Sequence, residues 1–151
     1  MRGCVGCVWW HPASGVFTAH GVLWNEGAPD LRDSRIADLQ SATEALLALP
    51  GAPGLPLERT LRWLPEQGPL ADAALASRHR DYWAALAAAV AQAQAEGRPE
   101  TDPPADLAGI DAAITTSARH ALNWQRAWRQ AEDSAFDTPP DQRGVFQRSL
   151  R

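Results

Sequence analysis

Gly109-Ile-Asp111-Ala-Ala-Ile114-Thr-Thr-Ser117-Ala-Arg119-His120-Ala-Leu122-Asn123-Trp124 is the stretch whose reading decides the fold. Asp111 supplies an N-cap for a helix, and Ile114, Ala118, Ala121, Leu122, Trp124 and Trp128 recur at helical spacing as its expected core face. Arg119 and Asn123 stand four apart, as do His120 and Trp124, so each pair shares a patch of helix surface. A polar border beside an indole wall is the pattern of a pocket rim. It is equally the pattern of the boundary of an amphipathic helix.

At the amino end, 4–10 and 16–24 are rich in Val, Trp and Phe and flank Pro12-Ala-Ser-Gly15, which has turn chemistry. A turn over 12–15 predicts a β-hairpin with His11 opposite Val16, Trp10 opposite Phe17, Trp9 opposite Thr18, Val8 opposite Ala19 and Cys7 opposite His20. Alternation puts Cys4, Val8, Trp10, Phe17, Ala19 and Leu23 on the core face, and Cys7, Trp9, His11, Thr18 and His20 on the other. A thiol opposite an imidazole is the start of a nucleophile pair. No third, orienting residue is visible nearby, and a chance cross-strand neighbour explains the pairing as well. An isolated hairpin is marginal in water, so this one must pack on helices or pair with a further strand, one from a second copy included.

Between these ends the pattern is helical. Asn25 to Asp33 reads as a polar connection, and Ser34 as the N-cap of a helix carrying Ile36, Leu39, Leu46 and Leu47 until Pro50-Gly51. Leu57 to Leu64 predicts a short helix with Leu57, Leu61 and Leu64 inward, ended by Pro65. Leu70 to Glu96 predicts the longest helix, with Leu75, His79, Tyr82, Trp83, Leu86 and Val90 inward, a break near Ser77 and Gly97 as the stop. Arg98 to Ala108, with three prolines and three acids, is a surface loop. After Thr138 the tail lacks strong periodicity, with Phe146 and Leu150 as its candidate anchors. The whole predicts a mainly α, compact single-domain fold over 1–151: an N-terminal β-hairpin (1–25), a helical scaffold (30–97), and the signature helix with its following loop (109–139).

Composition narrows the function classes. A formal charge of -4 argues against a phosphate-tracking surface and hence against nucleic acid. Lysine is absent, and abundant Ala and Pro beside it point to a GC-rich coding sequence. No apolar run approaches the roughly twenty residues of a membrane helix, and His11-Pro12 cuts short the one near the amino terminus; a cytoplasmic location is expected. Cys4 and Cys7 form one C-x-x-C, half of a zinc site without a second ligand pair at finger spacing, and the four histidines are scattered. No metal and no cofactor is expected.

The run Gly109-Ile-Asp111, Ile114 and Arg119-His-Ala-Leu-Asn-Trp124, followed by Phe136-Asp137-Thr138-Pro139, resembles the carboxy-terminal signature of the bacterial domain-of-unknown-function family 4272. Asp81-Tyr82-Trp83 and Gly97-Arg98-Pro99 are similar to that family's aromatic helix and glycine-arginine-proline turn. Where the family has an acid and a first arginine, this chain has Ser117 and Ala118, and Asp133-Ser134-Ala135 replaces a closing tryptophan-aspartate-aspartate. The resemblance implies a fold neighbourhood and carries no activity with it.

No phosphate loop, serine elbow, paired helix histidines or carboxylate cluster appears, which points away from an enzyme. Seven tryptophans exceed what one core of this size needs, and Trp and Arg dominate binding hot spots. The expectation is a small soluble bacterial protein acting as a non-enzymatic protein-binding module of regulatory or toxin-antagonist type. Its partner is another protein, or a second copy through the hairpin. The alternative is a small-ligand-binding protein or hydrolase: Arg119 would hold an anion, His120 act as acid or base, and Asn123 and Asp137 orient substrate. Arg119, His120, Asn123, Trp124 and Asp137 are thus the candidate contacts.

Overall fold

The computed structural model describes residues 7–32, 34–55, 61–104 and 106–137, with Cys7, Phe136 and Asp137 described by backbone alone. Cys4, Leu57, Phe146 and Leu150, to which the sequence assigns places, lie outside the described residues.

Strands β1 (Cys7–His11) and β2 (Val16–His20) pair antiparallel in the expected register, from Cys7 opposite His20 to His11 opposite Val16. The turn closes because the His11 carbonyl accepts from both Ser14 N (3.1 Å) and Gly15 N (3.0 Å), and Gly15 takes a φ of 67° that a side chain would resist. The hairpin does not stand alone. β3 (Arg62–Leu64) runs parallel to β2, and β4 (Ala71–Asp72) pairs antiparallel with β3, giving a four-stranded sheet in the order β1-β2-β3-β4. The helix expected over Leu57 to Leu64 is therefore corrected at its described end: 62–64 is a strand that buries Trp63 between exposed Arg62 and Leu64. Leucines spaced by three and four imitate helical periodicity, and the parallel partner that decides the matter is more than forty residues away in β2. The fold is thus helices beside a small mixed sheet, to which the N-terminal hairpin contributes two of four strands.

Helix α1 (Ile36–Leu47) is the crossover between the parallel strands. Its N-cap is Arg35 rather than Ser34. The first turn is capped from a distance: Ile36 N donates to Gln130 Oε1 (3.1 Å), and Gln130 Nε2 donates to the Ser34 carbonyl (2.7 Å). α2 (Ala74–Ala95) begins where Asp72 Oδ1 accepts from Ala74 N (3.0 Å), runs through Ser77 without a break, and stops at Gly97 as expected, at φ 69°. α3 (Ala112–Thr115) is capped by Asp111, which accepts from Ala113 N (2.8 Å), and α4 (Ala118–Asp137) follows after a two-residue step.

Two apolar clusters meet along α2. Leu75 and Ala76, at its start, pack with Phe17, Ala19, Leu23, Leu46, Leu61 and Trp63 under the sheet. Tyr82, Trp83, Leu86 and Val90, further on, pack with Leu39, Trp124, Trp128 and, from the loop read as a polar connection, Ala28 and Leu31. The core face of α4 is rotated from its expected position. Ala118, Ala121 and Leu122 are exposed, Leu122 at 50%, while His120, Asn123, Trp124, Ala127 and Trp128 are buried. Val8, expected inside, is 39% exposed because β1 is the sheet's edge.

Candidate functional site

Three of the polar residues that the sequence singles out converge, but around this chain's own backbone. Asn123, fully buried, accepts from Leu31 N (3.0 Å) through Oδ1 and donates through Nδ2 to the Pro29 carbonyl (2.6 Å) and to Tyr82 Oη (3.0 Å). Tyr82 Oη lies 3.0 Å from His120 Nδ1. With Asn123 donating to the phenol oxygen, the phenol hydrogen is free for His120 Nδ1, and His120 Nε2 is the ring's other polar atom. That Nε2 is buried without a hydrogen-bond partner among the described residues, as is Trp83 Nε1. Arg119 completes the clasp: Nη1 donates to the carbonyls of Glu26 (3.2 Å) and Ala28 (2.7 Å), and Nη2 to Gln67 Oε1 (2.7 Å).

Ser117 ties two elements together. Its Oγ accepts from Ala28 N (3.3 Å) and His120 N (3.2 Å) and donates to the Ile114 carbonyl (2.7 Å), so it starts α4 and fastens the loop at once. Trp124 is buried, with Nε1 donating to the Glu100 carbonyl (2.7 Å). The Asp137 side chain lies outside the described residues. The electrostatics follow from burial: it lowers the His120 pKa and raises that of Tyr82, so both stay neutral across the physiological range. His79, whose Nε2 donates to the Trp24 carbonyl (2.8 Å), is pushed down to about 4 by burial.

A second polar feature joins the sheet to α4. Arg32, in a left-handed conformation (φ 43°), pairs with Asp30 (3.0 Å) and Glu66, and Arg126 pairs with the other oxygen of Asp30 (3.0 Å). Burial pushes the Asp30 pKa up, but the hydrogen bonds from Arg32 and the charges of Arg32 and Arg126 outweigh it and hold the carboxyl below its ordinary range. Glu66 also accepts from Gly21 N (3.0 Å) and stands 3.8 Å from His20 Nδ1. Glu66, 46 residues along the chain from His20, is the acid that stands beside this imidazole. The register sets Cys7 opposite His20; the Cys7 thiol lies outside the described atoms. Among the described residues no group of three or more His, Cys, Asp or Glu is placed to hold a metal ion.

The remaining feature is a surface. Among the described residues β1 has no strand on its outer side, and it carries no ionised carboxylate or guanidinium. Trp9 is 55% exposed and lies in one cross-strand row with Thr18 and Leu64, the last 46% exposed. Trp24 and Trp63, by contrast, are buried. No described helix is long and apolar enough to cross a membrane. In comparisons with known proteins, no family model, no curated protein and no solved structure matches the chain.

Proposed function

We propose that the protein is a non-enzymatic binding module that takes up a strand of a protein partner along β1. The observation that carries this is the unprotected edge. Exposed edges are ordinarily blunted by charge, proline, a bulge or shortness. β4, at the other side of the sheet, is two residues long, contains Asp72 and follows Pro69. β1 has five residues with no charge of these kinds and no proline within it, Pro12 coming only after its last residue, and it carries an exposed indole beside an exposed valine. Strand addition supplies main-chain hydrogen bonds, and the row of Trp9, Thr18 and Leu64 supplies apolar area for specificity. A regulator or antagonist of another protein needs no more than such a face, and a second copy of the chain presents the same strand. On this reading the likeness of 109–139 to the bacterial family 4272 reflects a folding requirement, since Arg119 and Asn123 bind the loop and hold α4 in place.

Replacing Trp9 with a photoreactive residue and irradiating in cells tests it. The expected result is a discrete adduct, to a partner or to a second copy, that disappears with Val8→Pro and weakens with Leu64→Ser. Light scattering separates self-association from capture of another protein. No adduct, or one indifferent to both substitutions, refutes the proposal.

A further inference from the structure

We propose that the cleft between α1, α2 and α4 binds a small zwitterion with an apolar side chain, of the class of a free aliphatic or aromatic α-amino acid. α1 and α4 both pack on α2, and between them a cavity of about 350 Å³ remains, inside the range of about 300–1,000 Å³ typical of small-molecule sites. Ala87 and Val90 of α2 form its floor, and Ala127 and Ala131 its α4 wall. The small side chains are what leave it open. One end is tied by the Gln130 amide, which spans the gap to Ser34 and Ile36 and thereby uses both of its own polar atoms.

The charges on the rim select the ligand. Arg35 from the start of α1 and Asp133 from α4 both line the cleft, and neither forms an ion pair with the other or with any other described residue. Most of the other described arginines are paired or bonded to carbonyls, as Arg32, Arg126 and Arg119 are. A cation and an anion on the rim of one cleft, both solvent-exposed and not meeting, match a ligand that carries both charges and a hydrocarbon body. The carboxylate belongs at Arg35, where the positive end of the α1 dipole adds to the guanidinium and the Arg35 side chain makes no cap hydrogen bond of its own. The ammonium belongs at Asp133. A simple anion would leave Asp133 facing it, and a simple amine would leave Arg35.

Calorimetry on the full chain tests this with L-leucine and L-phenylalanine against N-acetyl-L-leucine, which lacks the ammonium, and L-leucinamide, which lacks the carboxylate. The expected result is binding of both amino acids and a loss of about tenfold or more for each uncharged end, the scale of one charged hydrogen bond. Arg35→Gln is expected to weaken leucine while leaving leucinamide unchanged, and Asp133→Asn to weaken leucine while leaving N-acetyl-leucine unchanged. Amide shift changes on the wild-type protein should centre on 35–40, 87–90 and 127–134, which locates the site without any variant having to fold. Absence of binding at millimolar ligand, equal losses for all four compounds in either variant, or shift changes elsewhere would overturn the proposal. None of these outcomes bears on strand addition at β1, which lies on the sheet.

Discussion

His79 should make stability fall as the solution is acidified through a window well above the usual carboxylate range. In the unfolded chain its imidazole takes up a proton near the ordinary value of 6.5; in the native protein burial delays protonation to about 4. Between those values the unfolded state binds more protons, so the contribution is complete above about pH 6.5, shrinks as pH falls, and is constant again below about pH 4. At about 1.4 kcal/mol per unit of pKa, the full effect is roughly 3 kcal/mol, of which about 2 kcal/mol falls between pH 7 and pH 5. The assay is urea denaturation at those two pH values for wild type and His79→Gln, whose amide still reaches toward the Trp24 carbonyl. His120, also lowered by burial, acts in the same direction in both proteins and cancels in the difference. Wild type should lose about 2 kcal/mol more than the variant on acidification. Equal losses would show that His79 is not the proton-linked group, whatever the variant costs at neutral pH.

Two further substitutions probe the loop. Asn123→Ala leaves Leu31 N–H and the Pro29 carbonyl buried without partners and should cost roughly 3–5 kcal/mol, whereas Leu122→Ala on the exposed side of the same helix should stay within about 0.5 kcal/mol; similar costs in denaturant unfolding would contradict the clasp. Gly68→Ala places a Cβ 2.7 Å from the Asn25 carbonyl carbon and oxygen at a φ of 90°, and should lower stability by roughly 1–3 kcal/mol, read as a drop in thermal midpoint. A midpoint within error of wild type would mean that the 66–69 turn does not pin the loop.

The elements legible in the sequence are those whose determinants are local. The hairpin register follows from a four-residue turn and strict alternation, the start of α3 from Asp111, and the end of α2 from Gly97. What stayed hidden depends on groups brought in from far along the chain. Arg62-Trp63-Leu64 becomes a strand because β2 accepts it in parallel, not because three residues can announce a strand. Periodicity scored on apolar residues turns α4 so that Leu122 faces inward, whereas the native rotation buries His120 and Asn123; the N–H and carbonyl that satisfy Asn123 belong to a loop some ninety residues earlier, and His120 meets Tyr82 of α2. The same loop looked like a polar connection because Pro, Asp and Glu outweigh Ala28 and Leu31 in composition, yet those two are in the core. Arg119, His120 and Asn123 were recognisable as a unit. Only the structure shows that they enclose the chain's own backbone.

The separation of the clasp's two halves has a consequence for how the chain is made. Apart from the ion pairs of Asp30 and Arg32, residues 26–36 are held through Ser117, Arg119, Asn123 and Gln130, and even α1 acquires its cap from the last of these. During synthesis the amino-terminal third therefore leaves the ribosome with Ala28, Leu31 and the first turn of α1 unsupported, and stays so until some ninety further residues have followed. At about 5–20 residues per second that is a wait of several seconds, in which an uncapped helix start and an uncharged edge strand are both open to other chains. The native state is closed last at the place where its sequence begins to look ordered only in hindsight.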